Sequence, residues 1–195
     1  MMTRKEAMAT LLTHARDEII VAVYSMAFEL VAQRPDHPLN YTSVGAMRLA
    51  SSHGLGIALG RPDRKVIVFD GDGSLLMNLG TLVTIASVAP LNFYHFLSEN
   101  RTYDVNGGHT VPGGETADFA GLAAAAGYRG AHAFSDKDEF AANLGGILAG
   151  PGPVFTSLRI VPRDQTKEAP TPADYPQLYT AKARALFRAT VGGGD

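Results

Sequence analysis

Oxygen-bearing side chains crowd two short stretches of this sequence. Asp70-Gly71-Asp72-Gly73-Ser74 directly follows the apolar run Val66-Ile67-Val68-Phe69. Glu99-Asn100-Arg101-Thr102 closely follows a second apolar run, Asn92 to Leu97. The two glycines permit a tight turn and a close approach of backbone to ligand. Carboxylate, amide and carbonyl oxygens are the donors a hard cation such as Mg2+ takes, in near-octahedral geometry and often shared with phosphate. With the two runs as strands of one parallel sheet, both groups of oxygens stand at its carboxyl edge, where open α/β folds bind ligands.

Gly71-Asp72-Gly73, separated by Ser74 to Glu99 from Asn100, resembles the thiamine-diphosphate motif. That motif is Gly-Asp-Gly, a spacer of about this length, and an Asn that usually closes an Asn-Asn pair; Glu99 stands here for the first Asn. The resemblance implies that Asp72 and Asn100 give side-chain oxygens, and Thr102 its backbone carbonyl, to a Mg2+ shared with the diphosphate. Gly71, Gly73, Ser74 and Tyr103 are expected at the same cofactor. A second segment, Ser43-Val44-Gly45-Ala46-Met47 with Ala50-Ser51-Ser52-His53-Gly54-Leu55-Gly56-Ile57-Ala58, is similar to another pattern of the family. It implies that the Gly45 carbonyl accepts a hydrogen bond from the aminopyrimidine, and that Met47 is the bulky residue enforcing the cofactor's bent shape. By its own chemistry Met47 is as readily a core side chain. Ser25, just after an apolar strand, is either a plain helix cap or a diphosphate contact.

Such enzymes have two recognition halves, and the resemblance covers only the diphosphate-binding one, over roughly residues 18 to 160. The glutamate that engages the pyrimidine in this family has no counterpart here. A separate pyrimidine-binding subunit is therefore expected to supply it, in a hetero-oligomer with the site at the interface. The run Ser74-Leu75-Leu76-Met77-Asn78-Leu79-Gly80 looks most like the β subunit of sulfopyruvate decarboxylase and the C-terminal domain of phosphonopyruvate decarboxylase. The implied reaction is decarboxylation of a small anionic 2-oxo acid, with carboligation an alternative on the same scaffold. Arg48, Arg101 and His109 are candidate contacts to the anion, and His109, whose unperturbed pKa is about 6.5, is the candidate catalytic proton carrier.

Three other readings fit part of the motif. A calcium loop beginning at Asp70 requires Gly at its sixth position and a carboxylate at its twelfth, where Leu75 and Thr81 stand. A phosphatase of the haloacid-dehalogenase type fits better locally, with Asp70 as nucleophile, Asp72 as acid, Ser98 on the next strand and Lys137 between Asp136 and Asp138. An ordinary strand-turn-helix crossover with a solvated Asp is the third.

The elements that must carry these residues alternate. Strands are expected over Glu18–Tyr24, Leu39–Thr42, Val66–Phe69, Asn92–Leu97, Tyr128–Phe134 and Val154–Ile160, as short apolar, β-branched runs. Helices are expected over residues 3–16, Met26–Gln33 (capped by Ser25), Ser43–Leu59, Leu75–Ala89, Thr116–Ala126, Asp136–Ala149 (capped by Ser135) and Tyr175–Thr190. The small residues of the Ser43–Leu59 helix predict close packing on the sheet, and His53 within it reads as a satisfied helix histidine. Tyr103 to Gly114, with four glycines and a proline, predicts a mobile lid. The alternation predicts an α/β class, a doubly wound and mainly parallel sheet with helices on both faces.

At 195 residues the chain is long enough for a single α/β domain, 46% of it is apolar and 18% charged, and its net charge is −2. That charge speaks against a nucleic-acid surface. Cysteine is absent, which excludes disulfides and thiolate metal sites. No apolar run reaches membrane length. The charged first helix is not a signal peptide, and the chain reads as a cytoplasmic protein.

Overall fold

A computed structural model describes residues 1–43, 47–164, 178 and 181–192. Its centre is a parallel sheet of six strands: β1 (Ile19–Val23), β2 (Asn40–Ser43), β3 (Val66–Gly71), β4 (Phe93–Glu99), and the later β7 (Gly130–Phe134) and β8 (Val154–Arg159). Their order across the sheet is β2-β1-β3-β4-β8-β7. Every strand is short, and β1, β3, β4 and β8 are buried almost throughout, the pattern of a sheet covered on both faces. The class and the alternation are as expected.

Side chains alternate between two cores. Helices α1 (Arg4–Leu12), α2 (Tyr24–Gln33) and α7 (Lys137–Ala149) bury Met8, Leu30 and Phe140 with Ile67, Phe69 and Phe96 on one face. Helices α3 (Ala50–Gly60), α5 (Thr81–Val88) and α6 (Phe119–Ala126) bury Ala58, Ile85 and Phe119 with Val66, Val68 and Phe155 on the other. The short α4 (Asp72–Leu76) lies before α5, and α8 (Ala181–Val191) follows the last strand. The close packing of α3 is visible at Gly54, where an added Cβ would lie 2.2 Å from Cγ2 of Val68.

The chain leaves β1 through α2 toward β2, then returns through α3 to β3 on the other side of β1. Strand order thus reverses between β1 and β3, and open α/β sheets form their ligand crevice at the carboxyl ends beside such a reversal. Register sets what meets there: Ala22 pairs with Phe69, and Gly71 with Ser98. The ends of β1, β3 and β4 are consequently level.

Several boundaries differ from the expectations. Ser25 lies inside the first turn of α2, which begins at Tyr24 and has no side-chain cap. Met47 and Arg48 form a turn, with Arg48 at φ 72, and α3 starts only at Ala50; Gly45 lies outside the described residues. The helix expected over Leu75–Ala89 is two helices. Between them the Asn78 side chain turns to donate to the Arg48 carbonyl (3.1 Å), and Ala89 ends α5 in the left-handed region. Asp118 and Asp136, not Thr116 and Ser135, cap α6 and α7, because their carboxylates accept first-turn N–H groups. Most of the expected Tyr175–Thr190 helix before Ala181 lies outside the described residues.

Residues after Asn100 form a small antiparallel ribbon, β5 (Thr102–Tyr103) and β6 (His109–Thr110), around a 3-10 turn at Asp104–Asn106. Arg101, at φ 63, makes the corner into it and is ion-paired with Glu115.

Candidate functional site

Where β1, β3 and β4 end together, a cleft opens to solvent. Ser25, Met47, Gly71, Asp72, Gly73, Ser74, Asn100, Thr102 and Tyr103 all line it. Ser98, which the sequence marked only in the phosphatase reading, lines it too, as do Tyr24, Arg4, Asp104 and Val105, which the sequence did not single out. Asp104 has no motif to mark it, and Arg4 comes from the far end of the sequence.

The turn after β3 is held by its own carboxylates. Asp70 accepts the Gly71 N–H at 2.8 Å, and Asp72 accepts the Gly73 N–H at 2.7 Å. Asp72 also accepts the N–H of Arg101, so one side chain ties the end of β3 to the end of β4. Glycine at 73 is a close-approach position: a Cβ there would lie 2.3 Å from Cε1 of Tyr103. Ser74 accepts the Arg48 N–H at 2.9 Å, which docks the Met47–Arg48 turn against the Gly-Asp-Gly turn. The first turns of α2 and α4 both border the cleft without side-chain caps, leaving orphan backbone donors at helix ends that favour anions.

Asp72 is 2% exposed, and no cation among the described residues pairs with it. Burial pushes its carboxyl up to about 6, with the nearby Glu99 charge acting the same way and the N–H groups of Arg101 and Gly73 opposing. In the folded chain Asp72 therefore holds its proton to a higher pH than when unfolded. The stabilisation is fully present below about pH 4 and lost as pH rises through about 6. A shift of this size corresponds to about 3 kcal/mol. The cofactor-free chain is expected to melt at lower temperature at pH 7 than at pH 5 in proportion, a trend that Asp72→Ala should flatten in a calorimetric pH series.

Glu99 does not face the cleft. It accepts from Ser157 at 2.7 Å and pairs with Arg159 at 2.9 Å. Residue 99, the first position of the Asn-Asn pair, thus faces the neighbouring strand β8, where an acidic side chain finds both its partners. Asp70 also turns away: it is fully buried, 3.8 Å from Nε2 of His95, whose Nδ1 lies 3.2 Å from the Tyr128 hydroxyl. A phosphatase nucleophile must meet its substrate, and this carboxylate cannot. Lys137 sits exposed on α7 and pairs with Asp138, away from the cleft. His109, Arg48 and Arg101 do not line the cleft either; His109 is exposed and pairs with Tyr103 across the ribbon. His53 is half-buried against Tyr41, with ring centroids 5.5 Å apart.

The residues present fit a divalent cation carried by a diphosphate. Among the described residues no group of three or more His, Cys, Asp or Glu could hold a metal by itself. A cation in this cleft would draw on one uncompensated carboxylate, amide and carbonyl oxygens, and outside ligands such as phosphate, which is how Mg2+ is usually held. No helix among the described residues is long and apolar enough to cross a membrane.

Residues 21–158 match the family model of the thiamine pyrophosphate enzyme, C-terminal TPP binding domain. A phosphonopyruvate decarboxylase of Streptomyces viridochromogenes is 37% identical over 161 residues, 82% of this chain and 40% of that protein. The sulfopyruvate decarboxylase subunit beta of Methanothermobacter thermautotrophicus is 35% identical over 162 residues, 83% of this chain and 84% of that one. The chain thus spans less than half of the phosphonopyruvate decarboxylase, yet most of the beta subunit. A thiamine diphosphate-dependent 4-hydroxybenzoylformate decarboxylase of Rhodococcus jostii shares the fold, with a TM-score of 0.68 at 22% identity over 84% of this chain and 33% of its own.

Proposed function

The chain belongs to the thiamine pyrophosphate enzymes, by its C-terminal TPP binding domain, and from that premise we propose that it is the diphosphate- and Mg2+-binding subunit of a heteromeric 2-oxo-acid decarboxylase. The observation that carries the reading is the buried Asp72 carboxylate, without a cation partner, facing a cleft that Asn100 and Thr102 also line. Similarity to a phosphonopyruvate decarboxylase and to a sulfopyruvate decarboxylase subunit beta supports a three-carbon 2-oxo acid with an anionic head group as substrate.

Each residue then has a task. Asp72, the Asn100 side chain and the Thr102 carbonyl would hold the Mg2+. The Ser74 hydroxyl and the first turn of α2 at Ser25 would receive the diphosphate with hydroxyl and backbone donors, and Gly71 and Gly73, whose own N–H groups are held by Asp70 and Asp72, would let it approach the backbone closely. Met47, beside the cleft, and Tyr103, against Gly73, would fix the orientation of the rings. When bound, thiamine diphosphate supplies the nucleophile and the electron sink for the carbon–carbon cleavage. The described cleft is lined by no glutamate, so the glutamate for the pyrimidine would come from a separate pyrimidine-binding subunit docked over it.

Gly73→Ala is expected to weaken cofactor binding by about tenfold with little change in melting temperature. The added methyl meets only the ring of Tyr103, so turning that one side chain relieves the clash at little cost to the fold but moves the ring in the cleft. A change in stability without a change in binding would contradict it.

The test of the proposal is calorimetric titration of thiamine diphosphate with Mg2+ into the chain alone and into its complex with a co-expressed pyrimidine-binding subunit. Binding that needs both Mg2+ and the partner, followed by release of CO2 from sulfopyruvate or phosphonopyruvate, supports it. No binding in the verified complex overturns it; binding with an acyloin as the product favours carboligation.

A further inference from the structure

Behind the cation-facing edge of the cleft lies a side-chain network that spans the molecule from its first helix. Asp104, 5% exposed, takes at least three hydrogen bonds on its carboxylate. Thr102 Oγ1 donates to Oδ1 at 2.7 Å, while Asn100 Nδ2 (2.6 Å) and the guanidinium of Arg4 both donate to Oδ2. Arg4 is itself 14% exposed and also lines the cleft. It belongs to α1, outside the residues 21–158 matched by the family.

We propose that Arg4 and Asp104 are positioning residues that set the orientation of the Asn100 amide toward the cation. This rests on the reading of the cleft given above. An ionised carboxylate only accepts hydrogen bonds, so the group of Asn100 that faces Asp104 is its NH2. The carbonyl oxygen is thereby the atom left on the other side, where it accepts the Thr102 N–H at 3.1 Å and retains a lone pair. Asp104 does the same for Thr102, whose hydroxyl it holds while the backbone carbonyl stays free of that bond. Arg4 neutralises Asp104. Without that ion pair the Asp104 carboxylate would be free to turn toward the ion and let go of the Asn100 NH2 and the Thr102 hydroxyl. Partners in the second layer of a metal site cost about 10- to 100-fold in affinity when removed.

The test uses the 15N-labelled full chain, in the assembly that binds the cofactor, with Mn2+ in place of Mg2+ and thiamine diphosphate present. Mn2+ affinity is read from water-proton relaxation, and the Asn100 side-chain amide from its own nuclear resonance before metal is added. The unmutated chain should show a slowly exchanging Asn100 NH2. In Asp104→Asn this protection should be lost, in Arg4→Gln, where Asp104 loses a group that pins it, it should be weakened, and in both Mn2+ affinity should fall at least about tenfold. The double variant should lose no more than Asp104→Asn alone, as members of one network do. Arg4→Gln, at a partly exposed site, carries the test if Asp104→Asn does not fold. Variants that bind Mn2+ like the unmutated chain, or an Asn100 resonance that does not change, overturn the inference and leave the proposed function standing. No Mn2+ binding by the unmutated assembly overturns both.

Discussion

Asp72→Ala is expected to lower the affinity for Mg2+ with thiamine diphosphate by at least about a hundredfold, roughly 3 kcal/mol. Among the described residues two carboxylates line the cleft, Asp72 and Asp104, and Arg4 already neutralises Asp104. Asp72 is then the one negative charge offered to a dication, and the ion's own charge dominates the local electrostatics. Burial makes that carboxylate costly without the cation, since its carboxyl is pushed up to about 6. The cation restores the ionised form, so binding and proton release are coupled. Affinity in the unmutated assembly should therefore fall as pH drops below about 6, and the variant should lack that dependence. Calorimetry at pH 5, 6 and 7 checks both. The substitution also frees the Arg101 N–H, so circular dichroism of the variant must show the same fold. A variant that binds as tightly as the unmutated chain would remove Asp72 from the site and with it the central support for the cofactor reading.

The site was legible in the sequence to the extent that its residues lie in the turns that leave three adjacent strands. Asp72 and Asn100 are separated by a strand-helix-strand crossover, and parallel neighbours bring such ends level whatever the helix between them does. That is why the expected single helix Leu75–Ala89 could be two without moving either residue. The break itself depends on Asn78 reaching the Arg48 carbonyl, a contact between segments 30 residues apart that no local periodicity encodes.

Contacts of that kind account for the rest of what the sequence did not reveal. Arg4 and Asp104 meet across 100 positions, and Asp104 sits among residues read as a loop of glycines. Asp70 and Asp72 look interchangeable on paper, one residue apart. The pleat sends Asp70 into the core toward His95, while the helix start turns Asp72 to the cleft. The same alternation hides Glu99 from the cleft. The helix caps were misassigned where two cap-forming residues stand close together, as with Ser135 and Asp136, because only the dihedral angles choose between them.

Gly152→Ala is expected to destabilise the fold more than any change in the cleft. Gly152 is buried just before β8, and its N–H donates to the Leu91 carbonyl at 2.7 Å. A Cβ added there would stand 2.4 Å from the Phe93 carbonyl oxygen, 2.8 Å from the Phe93 nitrogen and 2.9 Å from the Pro90 carbonyl oxygen. All three are backbone atoms at the entry of β4, so no side chain can turn aside. At Gly73, by contrast, a ring can. Relief at Gly152 requires β8 to move away from β4, which is the pairing that joins β7 to the rest of the sheet. Overpacking that forces backbone to shift typically costs about 1–3 kcal/mol, and with three backbone atoms this close the loss should reach about 3 kcal/mol or more, roughly a 10 °C fall in melting temperature for a chain of this size. Scanning calorimetry of the variant beside Gly73→Ala separates the two cases: stability lost with the cleft chemically intact at position 152, binding lost with the fold intact at position 73. Equal melting temperatures for Gly152→Ala and the unmutated chain would show that the β4–β8 junction is not held by the close approach at Gly152.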